Sequence, residues 1–209
     1  MTSNARQKND GAVLVFGESV NDSKSIMHLL IAANASLSHR VHARPRPMSL
    51  TREAKPDAVR SWADELQLAV RAFKAANGRV AAVVIHRDAD GSDPDGNVAI
   101  ALAQQLASID GQPVVPVQAI EAWWFLFPEA VEAVRLRAWK DKLSRVGRDV
   151  ELINQPKKAL QQTTSSKRIP GYSESDSPTI AAYIREKALS PLCPCRSYNR
   201  MVTLAKSIS

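Results

Sequence analysis

The run Ala12-Val13-Leu14-Val15-Phe16 is apolar at every position, and Gly17 stops it. A continuous apolar run of this length predicts a strand buried on both faces, as in the middle of a parallel sheet. Ile26, Leu29, Leu30 and Ala33 then recur at helical spacing, with Asp22 or Ser23 as the expected cap. Arg40 to Ala43 predicts a short second strand. Pro45, Pro47 and Pro56 mark the segment from Arg44 to Pro56 as a loop. Between Asp57 and Ala76, the residues Val59, Trp62, Leu66, Ala69, Val70 and Phe73 fall on one helical face, which Asn77-Gly78 ends. Arg79 to His86 is the clearest strand signal in the chain.

Asp88 to Gly96 is acidic and turn-rich, with Asp95 or Asn97 as the cap of a helix whose face holds Val98, Ala101, Leu102, Leu106 and Ile109. Pro113 to Gln118 predicts a further strand, and Ile120 to Phe127 a short helix closed by Pro128. Strands alternating with crossover-length helices predict an α/β fold over residues 11–128: a mostly parallel, Rossmann-like sheet of about four strands flanked by helices. From 129 to 209 the character changes to a basic helical extension packed on that core. It contains a Ser/Thr-rich loop from Thr163 to Ser177 and a final helix near Tyr198 to Ser207. Residues 1–10 are polar and read as a disordered lead-in.

Composition narrows the classes. The 209 residues are 44% hydrophobic and 23% charged, and no apolar run reaches the roughly 18 to 20 residues of a membrane helix. The expected address is cytoplasmic. Cys193 and Cys195 flank Pro194; a bridge across one residue is strained, and a zinc site needs four ligands, so both are expected as free thiols. The net charge of +7 favours polyanionic partners. Positive charge gathers at Arg40, Arg44, Arg46, Arg52 and Lys55, then from Arg135 to Arg148, and last at Lys157, Lys158, Lys167 and Arg168. Arg44, Arg46, Lys140, Lys142, Lys157 and Lys158 are the candidates for contact with nucleic-acid phosphates.

Ligands of open α/β sheets bind beyond the carboxyl ends of the strands. Here those ends carry Glu18 with Asp22, then Asp88 with Asp90, and last Glu121. Five carboxylates meeting at one edge repel one another unless cations neutralise them. Hard oxygen ligands select Mg²⁺ or Mn²⁺. In an extended or turning backbone Asp88 and Asp90 project the same way and can share a cation. His86 reads as a strand-end packing residue, and Arg87 as a cation that holds a carboxylate. Trp123 and Trp124, followed by Phe125, Leu126 and Phe127, read as core rather than as base-stacking platforms.

This combination resembles the TOPRIM domain of topoisomerases, primases and nucleases of the overcoming-lysogenisation-defect type. That family places a glutamate after its first strand, often as E-G-x-x-D, and a D-x-D after a later apolar strand. Gly17-Glu18-Ser19-Val20-Asn21-Asp22 keeps the spacing but has Ser19 where glycine is common. Val83 to Gly91 (VVIHRDADG) matches the second motif. A closer likeness, over about residues 12–205, is to short bacterial TOPRIM-like proteins encoded beside AAA-type ATPases. It rests on Gln118-Ala119-Ile120-Glu121-Ala122-Trp123, on Pro156-Lys157-Lys158-Ala159-Leu160 and on the segment Cys193 to Leu204.

The resemblance implies that Glu18 is a general acid/base or metal ligand and that Asp88 and Asp90 are Mg²⁺ ligands. Asp22 and Glu121 would then support a second metal position. Lys157 or Lys158 would stabilise charge on the scissile phosphate. The expected function is Mg²⁺- or Mn²⁺-dependent cleavage of nucleic-acid phosphodiesters, in phage defence together with an ATPase. The alternative is a non-catalytic or partner-activated TOPRIM-like subunit that binds nucleic acid or an ATPase. A phosphotransfer enzyme of another acidic α/β fold is disfavoured, because no glycine-rich phosphate loop is present and Gly17 stands alone.

Overall fold

The computed structural model describes residues 11–44, 56–93, 95–135, 143, 149–165 and 170–209, with the backbone alone at 56–61 and 135. Four strands form one sheet: β1 (Ala12–Phe16), β2 (Val41–Ala43), β3 (Val80–His86) and β4 (Gly111–Val114). Their order is β2-β1-β3-β4, and every pairing is parallel. The register sets Val15 opposite both Ala43 and Val84, and Val84 opposite Gln112. The α/β, Rossmann-like architecture expected from the alternating pattern is therefore present.

The two-residue period of a strand explains why β1 had to be apolar throughout. Val13 and Val15 face one side of the sheet, with Val84 and Val114. There they meet Ile26, Leu29 and Leu30 of helix α1 (Val20–Ala33). Leu14 and Phe16 face the other side, with Val83 and Ile85. That face is covered by Trp62, Leu66, Val70 and Phe73 of α2 (Pro56–Asn77) and by Leu102 of α3 (Asn97–Gln105) with its neighbour Leu106.

The first of these layers also takes in the later elements. They are α4 (Glu121–Trp124), α5 (Pro128–Arg135), α6 (Pro156–Thr164), α7 (Ser177–Lys187) and α8 (Arg196–Ser207). Ile180 and Ile184 of α7, and Tyr198, Met201 and Ala205 of α8, belong to the same buried cluster as Val13 and Leu29. Trp123 and Trp124 are fully buried, and their ring N–H groups donate to Ser197 (2.9 Å) and Ser177 (3.1 Å). Among the described residues, no helix is long and apolar enough to cross a membrane. Cys193 and Cys195 are free thiols, and Cys195 is buried.

Three local expectations change. The last strand is Gly111–Val114 rather than Pro113 to Gln118. Pro113 lacks an N–H and is tolerated because β4 is an edge strand. Beyond Val114 the chain leaves the ladder, and the carbonyls of Pro116 and Gln118 accept from the N–H groups of Ala89 and Asp90 instead. The cap of α1 is Ser19, not Asp22 or Ser23: Ser19 accepts from the Asp22 N–H, and the Asp22 carboxylate accepts from the Ser19 N–H. The N-terminus of α3 has Gly96 at the cap position, and the Asp93 side chain satisfies the Asn97 and Val98 N–H groups. The expected lead-in, most of the proline-rich loop, and the basic residues Arg46, Arg52, Lys55, Arg137, Lys140, Lys142, Arg145, Arg148, Lys167 and Arg168 lie outside the described residues.

Candidate metal centre

Glu18 leaves the end of β1 immediately after Gly17. Any side chain at Gly17 would collide with the Ser23 backbone N–H, so only glycine lets α1 start this close to the strand. Glu18 Oε2 accepts from the Asp88 N–H at 3.1 Å. Asp88 Oδ1 in turn accepts from the Ile120 N–H at 3.0 Å. These two bonds stitch together the loops after β1, β3 and β4, so the acids meet because their own carboxylates join the loops.

His86, the last residue of β3, completes the group. Its Nε2 lies 3.2 Å from Asp88 Oδ1, at ion-pairing distance but without hydrogen-bond alignment. Glu18, His86 and Asp88 each offer a ligand atom, all within 4.8 Å of one another. Both His86 ring nitrogens are buried with no hydrogen-bond partner. Buried polar atoms without partners are rare in folded proteins. An imidazole in that condition beside two carboxylates suits a divalent cation, so the donor set fits a metal ion.

The electrostatics agree. Burial is the main force lifting Glu18 from 4.5 to about 7, with the Asp88 and Asp90 charges adding and the Asp88 N–H and His86 opposing. Burial also raises Asp88, with Asp22 adding and His86 opposing. For His86, burial works against the charged form, but Asp88, Asp22 and Glu18 outweigh it and push the imidazole up to about 9. Glu121 rises to about 7, first by burial and next through Asp88. Asp88 thus acts on Glu18 and Glu121, and Asp22 on Asp88 and Glu121, so a cation among them would relieve the repulsion.

The remaining expected residues take distinct places. Asp22 spends one carboxylate oxygen on the cap of α1. Asp90 sits at φ 53, and its N–H is bonded to the Gln118 carbonyl. The backbone turns there, and among the described residues the ligand group contains His86 rather than Asp90. Glu121 is buried, and its Oε1 accepts from the Tyr172 hydroxyl at 3.1 Å. That hydroxyl also contacts Ser177 Oγ at 2.5 Å.

Lys157 is ion-paired with Glu174, and its pKa is raised first by that bond and further by Glu121 and Asp22. Lys158 is exposed and adjacent on α6. Arg44 lies over the Phe73 ring at 5.8 Å. Arg87 Nε is buried without a hydrogen-bond partner, and among the described residues Arg87 pairs with no carboxylate.

Sequence reasoning missed two of these residues. His86 stands two residues before the first aspartate of the D-x-D, which is the available signal. Tyr172 lies 51 residues from Glu121 in a loop with no periodicity, and nothing local marked it. Comparison of the chain with protein-family models, curated proteins and solved structures finds no match.

Proposed function

We propose that the chain is a divalent-cation-dependent hydrolase of nucleic-acid phosphodiester bonds, built on a TOPRIM-like core. The observation that carries this reading is the trio Glu18, His86 and Asp88 at the carboxyl edge of a parallel sheet. These three would hold the cation, with Asp22, Asp90 and Glu121 around them. When bound, a divalent cation supplies charge stabilisation and a water of lowered pKa. Glu121, with a pKa of about 7, can hold or release a proton near neutral pH beside the trio. Lys157 contributes positive charge on the same side, where a phosphate would need it. The chain's net charge of +7 favours a polyanionic substrate over a small neutral one. Because one donor is an imidazole nitrogen, Mn²⁺ is expected to serve better than Mg²⁺.

The test is incubation of purified protein with labelled DNA and RNA in Mn²⁺, Mg²⁺ or EDTA. Cleavage is expected with either metal, and Asp88→Asn and His86→Asn should each reduce it by roughly 100-fold or more. Wild-type rates in Asp88→Asn would refute the assignment. Inactivity of the isolated chain despite tight Mn²⁺ binding would favour the partner-activated subunit instead.

A further inference from the structure

Helix α8 carries Arg196, Arg200 and Lys206 and no acidic residue. Its buried side, Tyr198, Met201 and Ala205, belongs to the core. Arg196, Asn199, Arg200 and Thr203 are spaced so that each lies three or four residues from another of the set, and so share the opposite face. All four are exposed, and together they line an open groove of about 450 Å³.

Two contacts fix this groove beside the acid cluster. In the first turn of α8, Ser197 receives the ring N–H of Trp123, two residues beyond Glu121. In the next turn, the Arg200 guanidinium lies against Gly96, at the end of the loop that begins with Asp88 to Asp90. Any side chain at Gly96 would collide with that guanidinium, and the residue also sits at φ 76. The groove therefore starts at the carboxyl edge of the sheet and follows α8 away from it.

The groove's chemistry selects its occupant. Among the described residues, Arg200 makes no ion pair, and Arg196 keeps its side chain 63% exposed while its Nε lies 3.4 Å from Glu151. The exposed large apolar residues are Leu68, Ile100, Leu152 and Leu192, and none is on α8. No large apolar side chain of α8 is exposed to anchor a protein partner. Guanidinium forks and an amide are phosphate-backbone ligands.

We propose that this groove is the track along which a nucleic-acid phosphate backbone lies as it approaches the acid cluster. The assignment rests on the phosphodiesterase reading for its destination, but its binding chemistry can be tested separately. Arg196 and Arg200 neutralise two phosphates, and Asn199 donates to the same strand.

The experiment is fluorescence anisotropy of a fluorescein-labelled duplex oligonucleotide and its single strand in EDTA, across a range of NaCl concentrations. The double variant Arg196→Gln/Arg200→Gln should weaken binding equally for unrelated sequences. It should also reduce the slope of log affinity against log salt by about 1.8 for duplex or about 1.4 for single strand. Thr203→Glu places an acid on an exposed helical position without touching the core, and should weaken binding with an unchanged melting temperature. Wild-type affinity and slope in both variants would overturn the proposal, as would failure of the wild-type protein to bind either oligonucleotide. Because divalent metal is absent, these results are independent of cleavage. Loss of binding in the variants of a protein that never cleaves would keep the groove and remove the hydrolase reading; intact binding in variants of a protein that cleaves would do the reverse.

Discussion

Glu18→Gln separates a carboxylate that stabilises the fold from one that the fold tolerates for another purpose. Glu18 has a pKa raised from 4.5 to about 7, chiefly by burial. For a carboxyl whose folded pKa lies above its unfolded one, the folded state holds the proton more tightly. Its contribution to stability is complete below about pH 4.5 and is lost as pH rises through about 7. Each pH unit of that interval is worth about 1.4 kcal/mol, and partial solvent screening reduces the total to roughly 1–2 kcal/mol. Glutamine keeps an oxygen for the Asp88 N–H and carries no charge. In EDTA at about pH 8, Glu18→Gln should therefore melt above wild type by about 2–8 °C for a chain of this size.

The metal reverses the order. A ligand at a hundred times its Kd stabilises by about 2.7 kcal/mol, so Mn²⁺ should raise the wild-type melting temperature by several degrees and that of the Glu18→Gln variant by much less. Circular-dichroism melts of both proteins, at about pH 5 and about pH 8 with and without Mn²⁺, test the pair of effects. Near pH 5 the two metal-free proteins should converge. The reasoning fails if Glu18→Gln melts below wild type in EDTA at the higher pH, or if Mn²⁺ stabilises both proteins equally.

Tyr172→Phe removes the hydroxyl that holds Glu121 Oε1. It should cost about 10- to 100-fold in activity or Mn²⁺ affinity, read by titration calorimetry and cleavage assays, with only a small change in melting temperature. Glu151→Gln should destabilise by about 1–2 kcal/mol at neutral pH, read by urea denaturation. Burial opposes the Glu151 charge, but the Ser197 N–H bond (2.7 Å) and hydroxyl, Cys195 and Arg196 outweigh it, and its pKa is lowered. The deficit should therefore shrink as pH falls through the folded pKa, because wild type then loses the same charge.

The strands β1 and β3 were legible because a strand covered on both faces must be apolar at every position. The edge strand β4 was not, since Gly111, Gln112 and Pro113 carry no such run, and an edge needs none. Glu18, Asp22, Asp88, Asp90 and Glu121 could be found because each follows a strand end, where parallel topology places ligands. The strand-end position of His86 is equally compatible with packing, and what distinguishes it is tertiary. Glu18 and Asp88 crowd one ring edge, and neither ring nitrogen finds a hydrogen bond. The turn at Asp90 is tertiary as well, because the carbonyls of Pro116 and Gln118 hold the N–H groups of Ala89 and Asp90.

The residues beyond Glu129 are physically bound to the acid cluster. Buried Glu121 accepts from the Tyr172 hydroxyl, which contacts Ser177, and Ser177 also takes the Trp124 ring N–H. Trp123 is held from the other side by Ser197, whose own N–H is bonded to Glu151. Two tryptophans that follow a candidate site residue are thus fastened to the first turns of α7 and α8. Remove those partners and Glu121 gains water, so that its pKa falls back toward an ordinary carboxylate. The later helices supply the burial that lifts Glu121 toward neutrality, and that dependence ties their packing to the chemistry proposed for the first half of the chain.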